Sequence, residues 1–164
     1  MDRDKESSMY LLSVASGKSI RASLSGIRSG KFLLNEHRRN LLSRVPDQGD
    51  YVRVELNSLK IIDLAYLSAQ TGDEFAILRS KQEDILFHGT PLGYTFTDEL
   101  EDGIRTHKYY LVGHSHPGEE EPEPSLEDRT FLQETGQARS TVVSARTGKM
   151  TDYTSDPFEG GYKL

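Results

Sequence analysis

From residue 51 onward, apolar and polar positions fall into short, sharply bounded blocks. In NSLKIIDLAYLSAQTG, Leu59, Ile62, Leu64, Ala65 and Leu67 recur on one helical face. The spacing predicts a helix capped by Asn57 or Ser58 and ended by Gly72. EFAILRS (74–80) reads as a strand, KQED as a turn, and ILFHGT (85–90) as the hairpin partner. TDELEDGIRTH (97–107) is a short helix weakened by Gly103, and KYYLVGH (108–114) is a strand. SLEDRTFLQETG is a helix opened by Ser125 and closed by Gly136. STVVSA and KMTDYTS are strands joined through RTGK. Helices and strands in this order predict an α/β fold of the α+β kind, a mixed β-sheet packed against helices.

The first 50 residues read differently. They are rich in Ser, Gly and Arg, and their one good helical stretch is NEHRRNLLSRV, which stops before Pro46. PDQGD follows as a turn. Residues 1–50 carry nine Lys/Arg against six Asp/Glu, whereas the remainder carries eleven against twenty. This change in charge and pattern places a boundary near residue 50. It separates a basic, partly helical extension (1–50), expected to pack on the main domain as a solvated arm, from a domain over 51–164.

Composition narrows the chemistry. The 164 residues fit one domain with a sizeable core. With no cysteine there is no disulfide, no thiolate metal site and no cysteine nucleophile, so any metal must bind through His, Asp or Glu. A net charge of −6 argues against a dedicated nucleic-acid binder, which clusters Lys and Arg. No apolar run approaches the ~18 residues of a membrane span, and MDRDKESSMYLL is a poor signal peptide. The expected setting is the cytoplasm, although a module of a larger exported protein would carry the same features.

One stretch carries candidate chemistry: GHSHPGEEEPEPSLED, residues 113–128. In an extended segment, side chains at i and i+2 point the same way, so His114 and His116 can present two imidazoles to one ion. Zinc accepts imidazole and carboxylate, and a catalytic site uses three protein ligands. Asp128, in the first turn of the next helix, can supply the third. Ser125 and Asp128 also form Ser-x-x-Asp before an apolar run, which is a helix-capping pattern in its own right. EEEPEP reads as a solvated loop. His37, His88 and His107 are expected to be structural or incidental. A cupin would need a further histidine downstream, and none follows His116. An amidohydrolase barrel needs a far longer chain, and a zinc nucleotide deaminase needs paired cysteines.

GHSHP followed by Ser-x-x-Asp resembles the signature of the JAMM (MPN-plus, or JAB) metalloenzymes. The run Pro122-Glu123-Pro124-Ser125 is similar to the RadC-like branch, whose pattern is H-N-H-P-S-G-x-P-x-P-S-x-x-D. That branch also carries a glutamate just before a strand resembling EFAILR, and Glu74 matches it. The resemblance covers roughly residues 58–153, and the implied layout is that shared by JAMM and cytidine-deaminase domains. It implies that His114, His116 and Asp128 hold Zn2+, which lowers the pKa of a bound water. Glu74 would be the general base that passes a proton to the leaving amine, and Ser125 would help stabilise the oxyanion. The implied reaction is hydrolysis of an amide or isopeptide bond in a peptide or protein, a ubiquitin-like conjugate for example. Two further roles on the same fold stay open: an inactive binding or scaffold module, and an effector or toxin module of a bacterial conflict system. One feature departs from the pattern. Eight residues separate His116 from Ser125, one more than the family's usual spacing, so Glu119, Glu120 or Glu121 could stand in for Asp128.

Overall fold

A computed structural model of the chain describes residues 17–158. The stretch MDRDKESSMYLL lies outside the described residues. The elements are α1 (Gly17–Ser29), α2 (Glu36–Arg44), β1 (Tyr51–Glu55), α3 (Ile61–Thr71), β2 (Phe75–Arg79), β3 (Glu83–His88), α4 (Asp98–Arg105), β4 (Tyr110–His116), α5 (Leu126–Thr135), β5 (Arg139–Ser144) and β6 (Met150–Thr154). The strands form one six-stranded sheet in the order β1-β3-β2-β4-β5-β6. Every pairing is antiparallel except β4 with β5, where α5 makes the crossover that a parallel pair requires. This is the mixed sheet with helices that the sequence pattern predicts.

Alternation along the strands divides the core into two layers. Phe75 and Ile77 of β2, Leu86 of β3 and Val143 of β5 join one cluster with residues of α1, α2 and α3. Ala76 and Leu78, Ile85 and Phe87, and Val142 join the opposite cluster with Leu100 and Ile104 of α4 and Leu132 of α5. The helices thus cover both faces of the sheet, and the site described below lies on the α4–α5 side.

Two elements were not expected. The first is α1. Ile20, Leu24 and Ile27 lie at helical spacing, but the stripe is narrow and set among Ser, Gly and Arg. Leu24 and Ile27 are buried in the same cluster as α3, each contributing about 1.5–3 kcal/mol. The basic segment therefore shares the domain's core. The second is β1, a five-residue edge strand paired with β3 from Tyr51↔Phe87 to Glu55↔Glu83. The start of α3 also differs. Asn57 takes a left-handed turn conformation (φ 63°). The helix begins at Ile61, where Asp63 accepts a 2.9 Å hydrogen bond from the Lys60 amide. Gly103, inside α4, makes room for the Tyr109 ring, which would stand 2.5 Å from a Cβ there. Among the described residues, no helix is long and apolar enough to cross a membrane.

One irregularity positions the site. β2 pairs with β4 through Ala76↔His114, Ile77↔Gly113 and Leu78↔Leu111, which leaves Val112 without a partner. This bulge reverses the alternation. Leu111 belongs to the α4–α5 layer and Val112 packs against the α3 layer. Gly113 also faces α3, where a Cβ would lie 2.9 Å from the Thr141 carbonyl and 3.1 Å from Ile61. His114 is thereby returned to the α4–α5 face, opposite Ala76. In an unbroken strand starting from Leu111 it would point into the α3 layer.

Candidate metal centre

His114 and His116 close the C-terminal end of β4 and are both buried on one face. α5 begins ten residues later, with Ser125 as its N-cap. The Ser125 hydroxyl accepts from the Asp128 amide at 3.0 Å, and Asp128 Oδ2 accepts from the Ser125 amide at 2.8 Å. The same Oδ2 stands 3.2 Å from His114 Nε2 and 3.3 Å from His116 Nε2. The two Nε2 atoms are 3.1 Å apart. Three donors thus form a nearly equilateral triangle. Ligands about 2.1 Å from a small tetrahedral ion stand about 3.4 Å apart, so the triangle fits one face of such a coordination sphere. Two imidazoles and a carboxylate converge on one point, and a cation there would displace the ring protons and satisfy all three.

Glu74 is placed beside them. α3 ends at Gly72 in the left-handed conformation (φ 78°), and β2 begins at Phe75. Between them, the Glu74 amide donates to Thr90 O at 2.8 Å and its carbonyl accepts from the Gly89 amide at 2.7 Å. The next amide, Phe75, donates to the buried Ser115 hydroxyl at 2.9 Å. Ser115, between the two histidines, therefore ties the histidine strand to the turn that carries Glu74. A carboxylate oxygen of Glu74 and a ring nitrogen each of His114 and His116 all lie within 4.8 Å of one another, close enough to hold a metal ion together. Asp128 and Glu74 are thus both within reach of the two imidazoles, Asp128 by direct contact with both Nε2 atoms.

The electrostatics follow from this packing. Burial pushes the Glu74 carboxyl up to about 8, with Asp128 and Glu119 adding to the rise and His116 opposing it. Burial also opposes charge on His116, but hydrogen bonds to Asp128 and Glu119 outweigh it and hold the ring at about 9. In the fully enclosed His114, burial prevails over the attraction of Asp128 and lowers the pKa. Asp128 is also desolvated, yet hydrogen bonds from the two imidazoles hold it far below the usual carboxylate range. Perturbed groups gathered in this way mark functional sites more often than surface clusters do.

Each histidine has a partner on its other nitrogen. Glu119 Oε2 lies 3.1 Å from His116 Nδ1, and the Tyr153 hydroxyl lies 3.4 Å from His114 Nδ1. Glu119 is thus on the far side of the His116 ring from Asp128. Glu120 pairs with Arg21 at 3.4 Å and Glu121 with Lys149. None of the three occupies the position of the third donor. Thr147 Oγ1 donates to Glu120 O at 2.8 Å, and the Ser144 hydroxyl donates to Glu119 O.

The remaining histidines stand apart. His37 and His107 are exposed. His88 is buried, stacked on Phe75, and bridges Val45 O (2.8 Å) and Asp73 (2.7 Å), which is a structural role. An open groove of about 1310 Å³ leads to the centre and is lined by Glu74, His116, Ser125 and Asp128. Leu92 (95 % exposed) and Leu126 (69 % exposed) line it as well. Glu119, Glu127 and Glu134 also line it, and neither Lys nor Arg contributes. Sequence reasoning missed Ser115, Gly89 and Tyr153. Only Ser115 carried a signal, as the residue enclosed by the His-x-His pair. No family model matches the chain, and no curated protein and no solved structure matches it significantly.

Proposed function

We propose that the chain is a zinc-dependent hydrolase of the JAMM type, cleaving an amide or isopeptide bond in a peptide or protein. The observation that carries this reading is the triangle of His114, His116 and Asp128 with the buried Glu74 beside it. Two imidazoles and one carboxylate, with no thiolate, are the donor set of catalytic zinc, and three protein ligands leave a position for the reaction. Zinc bound there supplies a Lewis acid and brings the pKa of water toward neutrality.

The protein's own groups supply the rest. Glu74, which burial keeps protonated up to about 8, would be ionised by a cation at the centre. It takes a proton from the attacking water and delivers it to the leaving amine. Ser125 accepts from the Asp128 amide and keeps its own O–H to donate toward the developing oxyanion. Desolvation at the buried end of the groove strengthens both effects. The groove accommodates an extended segment, and by resemblance its substrate is a ubiquitin-like conjugate or a peptide tail. Nucleic acid is not an expected partner. The cytoplasm is the expected compartment, with a module of a larger exported protein as the alternative.

The test joins metal content to turnover. Purified protein is expected to hold about one zinc per chain, and His116→Ala to lose it. Glu74→Gln is expected to keep the zinc while losing about two to four decades of rate on isopeptide conjugates or unfolded peptides, the usual worth of positioned acid–base catalysis. Undiminished turnover in zinc-loaded Glu74→Gln, or equal metal in wild type and His116→Ala, refutes the proposal.

A further inference from the structure

We infer that Glu119 is a positioning residue that fixes the tautomer and ring orientation of His116, so that Nε2 faces the centre with its lone pair free. The inference rests on the metal-site reading above.

Three observations support it. Glu119 Oε2 lies 3.1 Å from His116 Nδ1. The same oxygen accepts from the Glu123 amide at 3.2 Å, so the carboxylate is anchored from a second direction. The backbone beneath it is fixed as well, with Ser144 donating to Glu119 O and Thr147 to Glu120 O. The carboxylate is therefore aimed, even though its side chain is half exposed.

A neutral imidazole carries one proton, on Nδ1 or on Nε2. A carboxylate only accepts, so Glu119 requires the proton on Nδ1 and leaves Nε2 as the donor atom. The two histidines differ in this respect. His114 Nδ1 meets a tyrosine hydroxyl, at 3.4 Å, and a hydroxyl can donate or accept. The tautomer of His116 is imposed by its neighbour, whereas that of His114 is not. Carboxylate partners of this kind raise the basicity of a ligating histidine, and losing one weakens metal binding by about 10–100-fold.

Zinc affinity would be measured by chelator competition in wild type, Glu119→Ala, Glu119→Gln and Glu121→Ala. Side-chain 1H–15N spectra of the zinc-loaded forms would show which His116 nitrogen holds the proton and how fast it exchanges. Glu119→Ala is expected to lose about 10–100-fold in affinity and to show rapid exchange of the Nδ1 proton. Glu119→Gln, whose amide oxygen still accepts, is expected to fall between Ala and wild type and to keep the proton protected. Glu121→Ala is expected to match wild type. Wild-type affinity in Glu119→Ala overturns the inference alone. So does a weakened Glu119→Ala whose Nδ1 proton stays protected, since Glu119 would then merely close the loop through Glu123. A wild type that takes up no zinc removes the site reading and this inference together.

Discussion

Removing the charge of Glu74 is expected to stabilise the metal-stripped protein, and to do so only above mildly acidic pH. Glu74 is 7 % exposed, and burial raises its carboxyl from 4.5 to about 8. Between those values the folded chain binds a proton that the unfolded chain has released, so wild-type stability falls as pH rises through this window. A glutamine in its place has nothing to titrate. The advantage of Glu74→Gln is therefore near zero below pH 4.5 and reaches its maximum above pH 8. At about 1.4 kcal/mol for each factor of ten in proton affinity, the ceiling is about 5 kcal/mol. Glu74 lines the groove, so water relieves part of the strain, and about 2–5 kcal/mol is expected. Urea unfolding of both proteins at about pH 4.5, 6, 7 and 8, after treatment with a chelator, measures the difference directly. Saturating zinc should shrink it, because a neighbouring cation favours the ionised carboxylate. A difference that stays constant with pH would show that Glu74 is not desolvated as described, and would remove the basis for its activation as a base.

Two further substitutions test the frame around the centre. Asp128→Asn keeps an amide oxygen for the Ser125 N–H, so the cap should cost no more than about 1 kcal/mol. Zinc binding of about 10–16 kcal/mol shared over four ligands puts about 3 kcal/mol, roughly two decades of affinity, on the lost carboxylate; chelator competition checks both figures, and unchanged affinity would exclude Asp128 as a ligand. Gly89→Ala would set a Cβ 2.4 Å from Gly93 O and 2.9 Å from Glu74 O. The backbone must shift, at about 1–3 kcal/mol in urea. Because Gly89 holds Glu74 and no histidine, turnover should fall more than zinc affinity.

The sequence made some of this legible because the deciding relations are local. His114 and His116 share a face by the two-residue period of a strand, and neither the bulge nor the sheet order can separate them. The ends of α5 were written as Ser125 and Gly136. Long-range relations were not legible. Whether the pair faces α3 or α5 depends on the bulge at Val112, and KYYLVGH continues smoothly across it. The bulge places Gly113, where no side chain fits, against Thr141 and Ile61, and both lie far away in sequence. β1 escaped notice as a short edge strand whose partner, β3, comes some thirty residues later. α1 escaped because its polar face outweighs the narrow stripe of Ile20, Leu24 and Ile27.

The most instructive ambiguity is Ser125-x-x-Asp128, which the pattern allowed as either a helix cap or part of a metal site. The structure uses one atom for both. Asp128 Oδ2 accepts from the Ser125 amide and faces both Nε2 atoms, so capping the helix is what holds the third donor in place. A free aspartate would lose side-chain entropy on joining the triangle. Here that loss is met when α5 folds, and the first turn of the helix carries its carboxylate where the dipole favours negative charge. The crossover that makes β4 and β5 parallel then sets this first turn against the end of β4. Cap and site need not be weighed against each other in such a motif, and the spacing from Ser125 to Asp128 is fixed by the helix whatever the length of the loop before it. The length of the loop between His116 and Ser125 therefore does not disturb the triangle, and the same loop carries Glu119 to the far nitrogen of His116.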